Sequence, residues 1–344
     1  MGKKLSEMTL EELWQLFPIY LTPPKKEWAA RYAEQAASLR KILPGAALYH
    51  VGSTAINGIW AKDIVDIIAE LAPGSDMDEA CRMIIASGWI LMSRSIDRMS
   101  FNMGYTENGF AEKVYHLHLR RKGDIDEVYF RDYLNAHPEV AKEYEALKLS
   151  LWKNYEHDRD GYTNAKTEFV QKYTRMAKVS FEYMPNEDFS IYARQLFDML
   201  YDNMADIAPF SGSREEEFTD WYNAVSGGLK KPARRIILIK YSGSIVGFFQ
   251  YYTNSTVFMM EEIQLIPEYR TAYGIFRSLY SFLIPQLPET LLHVKAYAHA
   301  QNKKSDAILR RMGLAPTGDP APDNIVSYCG DFGNFIEWHE KSRS

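Results

Sequence analysis

The stretch "HVGSTAINGIWAKDIVDIIAEL", His50 to Leu71, sets a Gly-Ser turn a short loop ahead of an apolar run that carries one aspartate, Asp66. Taken alone it reads as a tight turn feeding a core strand. Period-two alternation puts Ile64 and Ile68 beside Asp66 and turns Asp63 to the opposite face, with Glu70 about 13 Å further along. Upstream, Thr22 to Leu43 opens on proline and spaces Trp28, Ala29, Tyr32, Ala36 and Leu39 by threes and fours, which predicts an amphipathic helix leading into the first strand. Downstream, "VYHLHLR" alternates strictly, so Val114, His116 and His118 share one face of a strand. Helical patterns broken by Pro138 and "EHDRDG" follow and close an α+β unit near residue 178.

The chain has 344 residues, 46% of them hydrophobic, enough for two ordinary domains. Its net charge of -5 gives no electrostatic footprint for nucleic acid or an anionic membrane surface. The opening residues are charged throughout, and no later segment has the length of a membrane span, so a cytoplasmic protein is expected. Cys81 and Cys329 are too few for a disulfide framework or a thiolate cluster, and reduced thiols are expected.

"SFEYMPNEDFS" places Pro185 among turn formers, which predicts a linker over 179–187 between a domain at 1–178 and a second at 188–344. Helical stretches Ile191 to Ala208 and Arg214 to Ser226 precede three strand-like runs, "RRIILIKY", "SIVGFFQYY" and "VFMMEEIQLI", the first two joined by the hairpin turn Ser242-Gly243-Ser244. A helix over Thr271 to Leu283, a strand "LLHVKAYAHA", a helix over Asn302 to Met312 and a strand near "NIVSYCGDF" complete the order. No internal repeat relates the halves.

This order, with "EEIQLIPEYRTAYGIFRSLYSFL" and "NKKSDAILRRMGL", resembles the GNAT acetyltransferase superfamily over about residues 186 to 340. The resemblance implies an acetyl-CoA-dependent N-acetyltransferase acting on a small-molecule amine. It places the cofactor pyrophosphate on the turn Arg270, Thr271, Tyr273, Gly274, Ile275 and Phe276, where helix N–H groups and the dipole favour an anion. It also places the pantetheine arm and thioester carbonyl on backbone near Leu265 and Ile266. Asn302 is then a pantetheine contact or a helix cap. Glu261 and Glu262 are the candidate bases, and on a regular strand adjacent side chains leave by opposite faces, so only one looks into the cleft. The sequence departs from the family at Tyr273 and Ile275, where small residues are usual, and at Leu309, where the family has its tyrosine acid. Tyr297, Tyr328 or unassisted departure of the thiolate would replace that acid.

The first half resembles the GrpB family over roughly residues 10 to 178, on "HVGSTAINGIWAKDIVDI", "VYHLHL", "YFRDYLNAHPEVAKEYEALK" and "YTNAKTEFV". The family is assigned to the nucleotidyltransferase fold. That implies Gly52 and Ser53 as a phosphate turn at a helix N-terminus and Asp66 as a carboxylate for Mg²⁺. His116 and His118, by their shared strand face, are candidates to join Asp66 around a metal or are packed or solvated strand histidines. Lys62, Arg131, Lys148 and Lys166 are candidates for an anion pocket or a solvated basic face. Nucleotidyl transfer wants two carboxylates one residue apart, and the second is missing.

The fold class expected is α+β: a nucleotidyltransferase-like mixed sheet with helices, followed by a GNAT-type mixed sheet flanked by helices. The leading reading is acetyl transfer, with a nucleotide or other anionic ligand on the first domain. The alternatives are a Mg²⁺-dependent nucleotidyltransferase with the second half as accessory module, and a non-catalytic ligand-binding protein.

Overall fold

Val65, Ile67 and Ala69 on strand β2 (Ile64–Glu70) are buried with Tyr115, Leu117 and Leu119 on β5 (Gly109–Arg120), and this apolar floor fixes the first sheet. The computed structural model describes residues 3–208, 210–231, 233–270, 274–319, 322 and 324–341, and the chain divides into two units, Met1–Ala177 and Lys178–Ser344.

The first unit runs α1 (Leu10–Leu16), α2 (Glu27–Ile42), β1 (Ala47–Val51), β2, α3 (Met77–Ala86), β3 (Ile90–Arg94), β4 (Arg98–Thr106), β5, α4 (Asp126–Ala136), α5 (Pro138–Leu151), α6 (Arg159–Asn164) and α7 (Thr167–Ala177). Its sheet order is β1-β2-β5-β4-β3, with β2 and β5 parallel and the other pairs antiparallel. Trp28 and Leu39 of α2 and Met77, Ala80 and Ile84 of α3 close over the apolar floor. Strand periodicity turns Asp66, His116 and His118 to the other face, where Ile68 meets Val128 of α4. Gly104, at φ +87°, lies in a register shift between Met103 and Tyr105, and a Cβ there would run into the Lys113 carbonyl. Such a bulge re-aims the residue after it, here Tyr105.

The second unit runs β6 (Val179–Met184), α8 (Phe189–Met204), α9 (Arg214–Leu229), β7 (Arg234–Tyr241), β8 (Ser244–Thr253), β9 (Val257–Leu265), α10 (Ile275–Leu283), β10 (His293–His299), α11 (Lys303–Arg311), β11 (Ala315–Pro316), β12 (Ile325–Asp331) and α12 (Phe332–Lys341). The order is β11-β12-β10-β9-β8-β7-β6, and only the β9–β10 pair is parallel. One face packs on α10 and α12 through Phe258, Tyr280 and Phe335; the other packs on α8 and α9 through Phe248, Leu196 and Val225. A Ser213–Glu216 capping box starts α9.

Two expectations are corrected. The linker over 179–187 is in its first part the edge strand β6, paired with β7 from Val179↔Tyr241 to Met184↔Ile236, because Phe181 and Tyr183 alternate into the core against Phe282. The helix expected from Thr271 is described from Ile275, after a left-handed Gly274 at φ +60°. Thr271 and Tyr273 lie outside the described residues. Among the described residues, no helix is long and apolar enough to cross a membrane.

Candidate functional sites

In the first unit, Asp66 and His116 stand opposite each other in the parallel β2–β5 register. His116 Nδ1 lies 2.9 Å from Asp66 Oδ1, and His118 Nε2 lies 3.8 Å from the same oxygen. Nε2 of His116 meets the Tyr105 hydroxyl at 2.8 Å and the Arg159 guanidinium at 3.1 Å, and Arg159 also donates to the Tyr105 hydroxyl at 3.0 Å. A guanidinium only donates, so Nε2 accepts and Nδ1–H donates to Asp66. The imidazole is therefore neutral, and burial pushes its pKa down to about 4. Burial alone would raise the Asp66 carboxyl, but the hydrogen bond from His116 and the nearby His118 imidazole outweigh it and hold the group well below the usual carboxylate range.

Cations gather around this pair. Lys62 and Lys166 sit 5.6 and 3.9 Å from the ring centroid of buried Tyr162, and both feel the charges of Asp66 and Arg159. Burial first, then repulsion by Arg159 and Lys166, lowers the Lys62 pKa to about 7; Lys166 falls to about 8. The other two sequence candidates are engaged with backbone, although Lys148 is close enough for its charge to act on Lys62 and to feel that of Lys166. Lys148, 1% exposed, donates to the Trp60 carbonyl. Arg131 donates to the His50 carbonyl at 2.6 Å and pairs with Asp132. Both brace backbone.

Gly52 adopts φ +69°, and a Cβ on it would come within 2.9 Å of Asp66 Cγ and closer still to Oδ2. That close approach explains the glycine. Ser53 begins only a three-residue 3₁₀ turn, Ser53–Ala55, and hydrogen-bonds with Tyr144, so the expected helix N-terminus is absent and no helix dipole acts there. The expected Mg²⁺ site does not fit these residues. Mg²⁺ takes oxygen ligands in octahedral geometry, whereas Asp66 brings one carboxylate and its neighbours bring imidazole nitrogens. The other carboxylates of this segment are elsewhere: Asp63 is held by Lys25, Trp28 and Arg31, and Glu70 by Tyr49 and Gly123. Sequence reasoning missed Arg159, Tyr105 and Tyr162. Arg159, Tyr162 and Lys166 are spaced by three and four, a helical-face signal that begins inside "EHDRDG", read as a breaker, and runs on into the helical "YTNAKTEFV".

In the second unit, β9 and β10 pair from Val257↔His293 to Met260↔Ala296, and pairing stops there although β9 continues to Leu265 and β10 to His299. The strands part beyond that point. A register shift against β8 pairs Gln250 with Glu262 and Tyr251 with Met260, leaving Glu261 as an extra residue. Met260 and Ile263 both pack in the α10-side core, so the two glutamates between them leave by the opposite face, toward α8 and α9. This corrects the expectation that only one can share the cleft. Glu261 is committed to Arg234 and to Gln250 Nε2 at 3.0 Å. Glu262 accepts from Gln264 at 2.7 Å, and burial pushes its pKa up to about 7.

Other candidates in this unit are already engaged. The Ile266 N–H donates to the Val246 carbonyl at 2.9 Å, and the Leu265 carbonyl accepts from Asn203 at 2.9 Å and Arg270 at 3.1 Å. Those two groups are thus not free to polarise a carbonyl. Asn302 accepts from the Ser305 N–H at 3.1 Å as the cap of α11. Leu309, 8% exposed, packs in the core, and Tyr328 donates to Asp306 at 2.7 Å. Tyr297 follows the last β9–β10 pair directly and is 48% exposed. Because Ala296 and Ala298 face the α10-side core, Tyr297 lies on the same sheet face as the two glutamates. Ile275 and Phe276 open α10, the buried Ile275 side chain turned into that same core.

A family model for the GrpB protein matches residues 18–176. The glutamate-rich protein GrpB of Alkalihalophilus pseudofirmus is 32% identical over 161 residues, which are 45% of this chain and 92% of that protein. A UPF0157 protein of Pseudomonas aeruginosa is 32% identical over 159 residues, 45% of this chain and 65% of its own length. Among solved structures, the PaiA N-acetyltransferase of Thermoplasma acidophilum in complex with coenzyme A matches 45% of this chain and 99% of its own, at 11% identity and a TM-score of 0.37. Through its first unit, the chain belongs to the GrpB family.

Proposed function

We propose that the second unit transfers an acetyl group from acetyl-CoA to a small-molecule amine, and that the first unit binds a nucleotide or another anionic ligand. The observation that carries the first part is the parting of β9 from β10 beyond Met260↔Ala296, with Glu261, Glu262 and Tyr297 on one face of the opening. Acetyl-CoA supplies the thioester. Glu262, at a pKa of about 7, takes the proton of the incoming ammonium, which frees the nitrogen lone pair for attack on the carbonyl carbon. Glu261, paired with Arg234, lies beside Glu262 on the same face and favours a cationic acceptor. As the C–S bond breaks, the Tyr297 hydroxyl gives its proton to the departing sulfur, and its phenolate takes up the second proton that the nitrogen sheds in becoming an amide. The N–H groups that open α10, after left-handed Gly274, receive the pyrophosphate.

The test is a calorimetric and thermal-shift titration of the whole chain with acetyl-CoA, since a ligand of the native state raises its melting temperature. Saturable binding that disappears in Gly274→Trp and survives in Glu262→Gln is the expected result. Absence of acetyl-CoA binding to the unaltered chain would overturn the reading.

A further inference from the structure

We propose that the first unit holds a multiply charged phosphate group on Lys62, Lys166 and Arg159 directly, with no divalent metal ion between ligand and protein. This rests on the anionic-ligand reading above and goes against the metal that the nucleotidyltransferase fold implies.

Charge balance is the first argument. Lys62, Lys166 and Arg159 surround one carboxylate, Asp66, and among the described residues neither Lys62 nor Lys166 forms an ion pair. Half-buried ammonium groups without a counter-ion are costly to keep, and a phosphate dianion from outside would supply what the chain lacks. The second argument is that Asp66 is closed to a cation from two sides. Its Oδ1 accepts the Nδ1–H of His116, and its Oδ2 abuts Gly52 so closely that no Cβ fits. The third concerns softer metals. Asp66, His116 and His118 bring three donor atoms within 4.8 Å of one another, a spacing that a zinc-class ion accepts. His116, however, is committed at both nitrogens, to Asp66 and to Arg159, so ligation would break a hydrogen bond and set a dication beside a guanidinium. In this arrangement the Asp66–His116–Tyr105 chain holds Arg159 in place, and Arg159 takes the part of the metal.

The experiment is calorimetric titration of the full chain with inorganic pyrophosphate and with ATP, in EDTA, in excess Mg²⁺ and in Zn²⁺. Binding in EDTA is expected to be at least as tight as in excess Mg²⁺, which sequesters the free polyanion, and to weaken about tenfold or more in Lys166→Gln, as loss of a charge-assisted hydrogen bond requires. Lys166→Arg should retain most of the affinity, and Lys41→Gln, an exposed lysine of α2 on the opposite side of the sheet, should leave it unchanged. Circular dichroism of each variant separates lost binding from lost folding. Binding that requires Mg²⁺ or Zn²⁺ would overturn the metal-free site while leaving the anionic-ligand reading intact. Binding under none of the conditions would remove that reading with it. Binding lost in Gly274→Trp but kept in Lys166→Gln would move the anion to the second unit and overturn the proposal.

Discussion

Gly52 lies against the carboxylate of Asp66: its backbone crosses the strand at the register position Val51↔Asp66 with φ +69°, and the space a side chain would need is already filled by the aspartate. Gly52→Ala therefore combines a left-handed backbone penalty with displacement of a buried, hydrogen-bonded carboxylate. We expect it to cost ~2–4 kcal/mol, whereas Gly45→Ala, at φ +88° with nothing within 4 Å of its Cβ, costs ~1 kcal/mol. Urea denaturation of both variants measures the difference. Equal midpoints would show that Asp66 yields freely.

Anion binding should depend on pH through the lysines. With no ligand, burial holds Lys62 near 7 and Lys166 near 8; a bound anion favours the charged forms and raises both. Binding then takes up protons above pH ~7. Affinity is level below that value and falls as pH rises through the two ligand-free pKa values, by up to tenfold per pH unit for each deprotonated lysine. Pyrophosphate titrations at steps from pH 6 to pH 9 test this, and an affinity that rises with pH would contradict it.

Stability of the first sheet should fall in mild acid. His50 and His116 are both pushed down to about 4, principally by burial, against an ordinary value of 6.5. The folded state favours neutral imidazole, so the contribution is complete above pH ~6.5 and is lost as pH falls toward 4. The slope is about 1.4 kcal/mol per pH unit for each histidine. Hydrogen exchange in β2 and β5 peptides should accelerate over this window, and His116→Gln should flatten the dependence.

The sheet of the first unit was legible as far as its alternating strands, Ile64–Glu70 and Val114–Leu119, and the shared face of Asp66, His116 and His118 follows from period two alone. The partners of that face were not. Arg159 reaches His116 from α6, and Tyr105 from a strand bent at Gly104; the spacing of Arg159, Tyr162 and Lys166 marks a helix face, but no local pattern says which strand residue either group meets. In the second unit the element order from α8 to β12 was largely readable, but the closing helix α12 and the Glu261 bulge were not. A bulge is set by how two strands register, and the sequence of one strand does not record it. The edge strand β6 was hidden for a similar reason, since Val179–Met184 is short and runs straight into Pro185.

Glu261 and Glu262 share a face but differ in partners, so their substitutions should differ in kind. Glu261 is held by Arg234 and Gln250, whereas Glu262 has Gln264 and a neighbouring backbone N–H against its burial, which pushes its pKa up to about 7. For acetyl transfer, Glu262→Gln should lower kcat by about 10²–10⁴, with acetyl-CoA affinity unchanged, and should remove the rising limb of the pH–rate profile near 7. Glu261→Gln should instead raise KM for a cationic acceptor and leave the limb in place, because the proton acceptor is still present. Tyr297→Phe should lower kcat with acetyl-CoA, and less with a thioester of a more acidic thiol, whose anion departs without a proton. Rates of CoA release across pH with a panel of primary amines and polyamines separate the three. A limb that persists in Glu262→Gln would assign the base elsewhere.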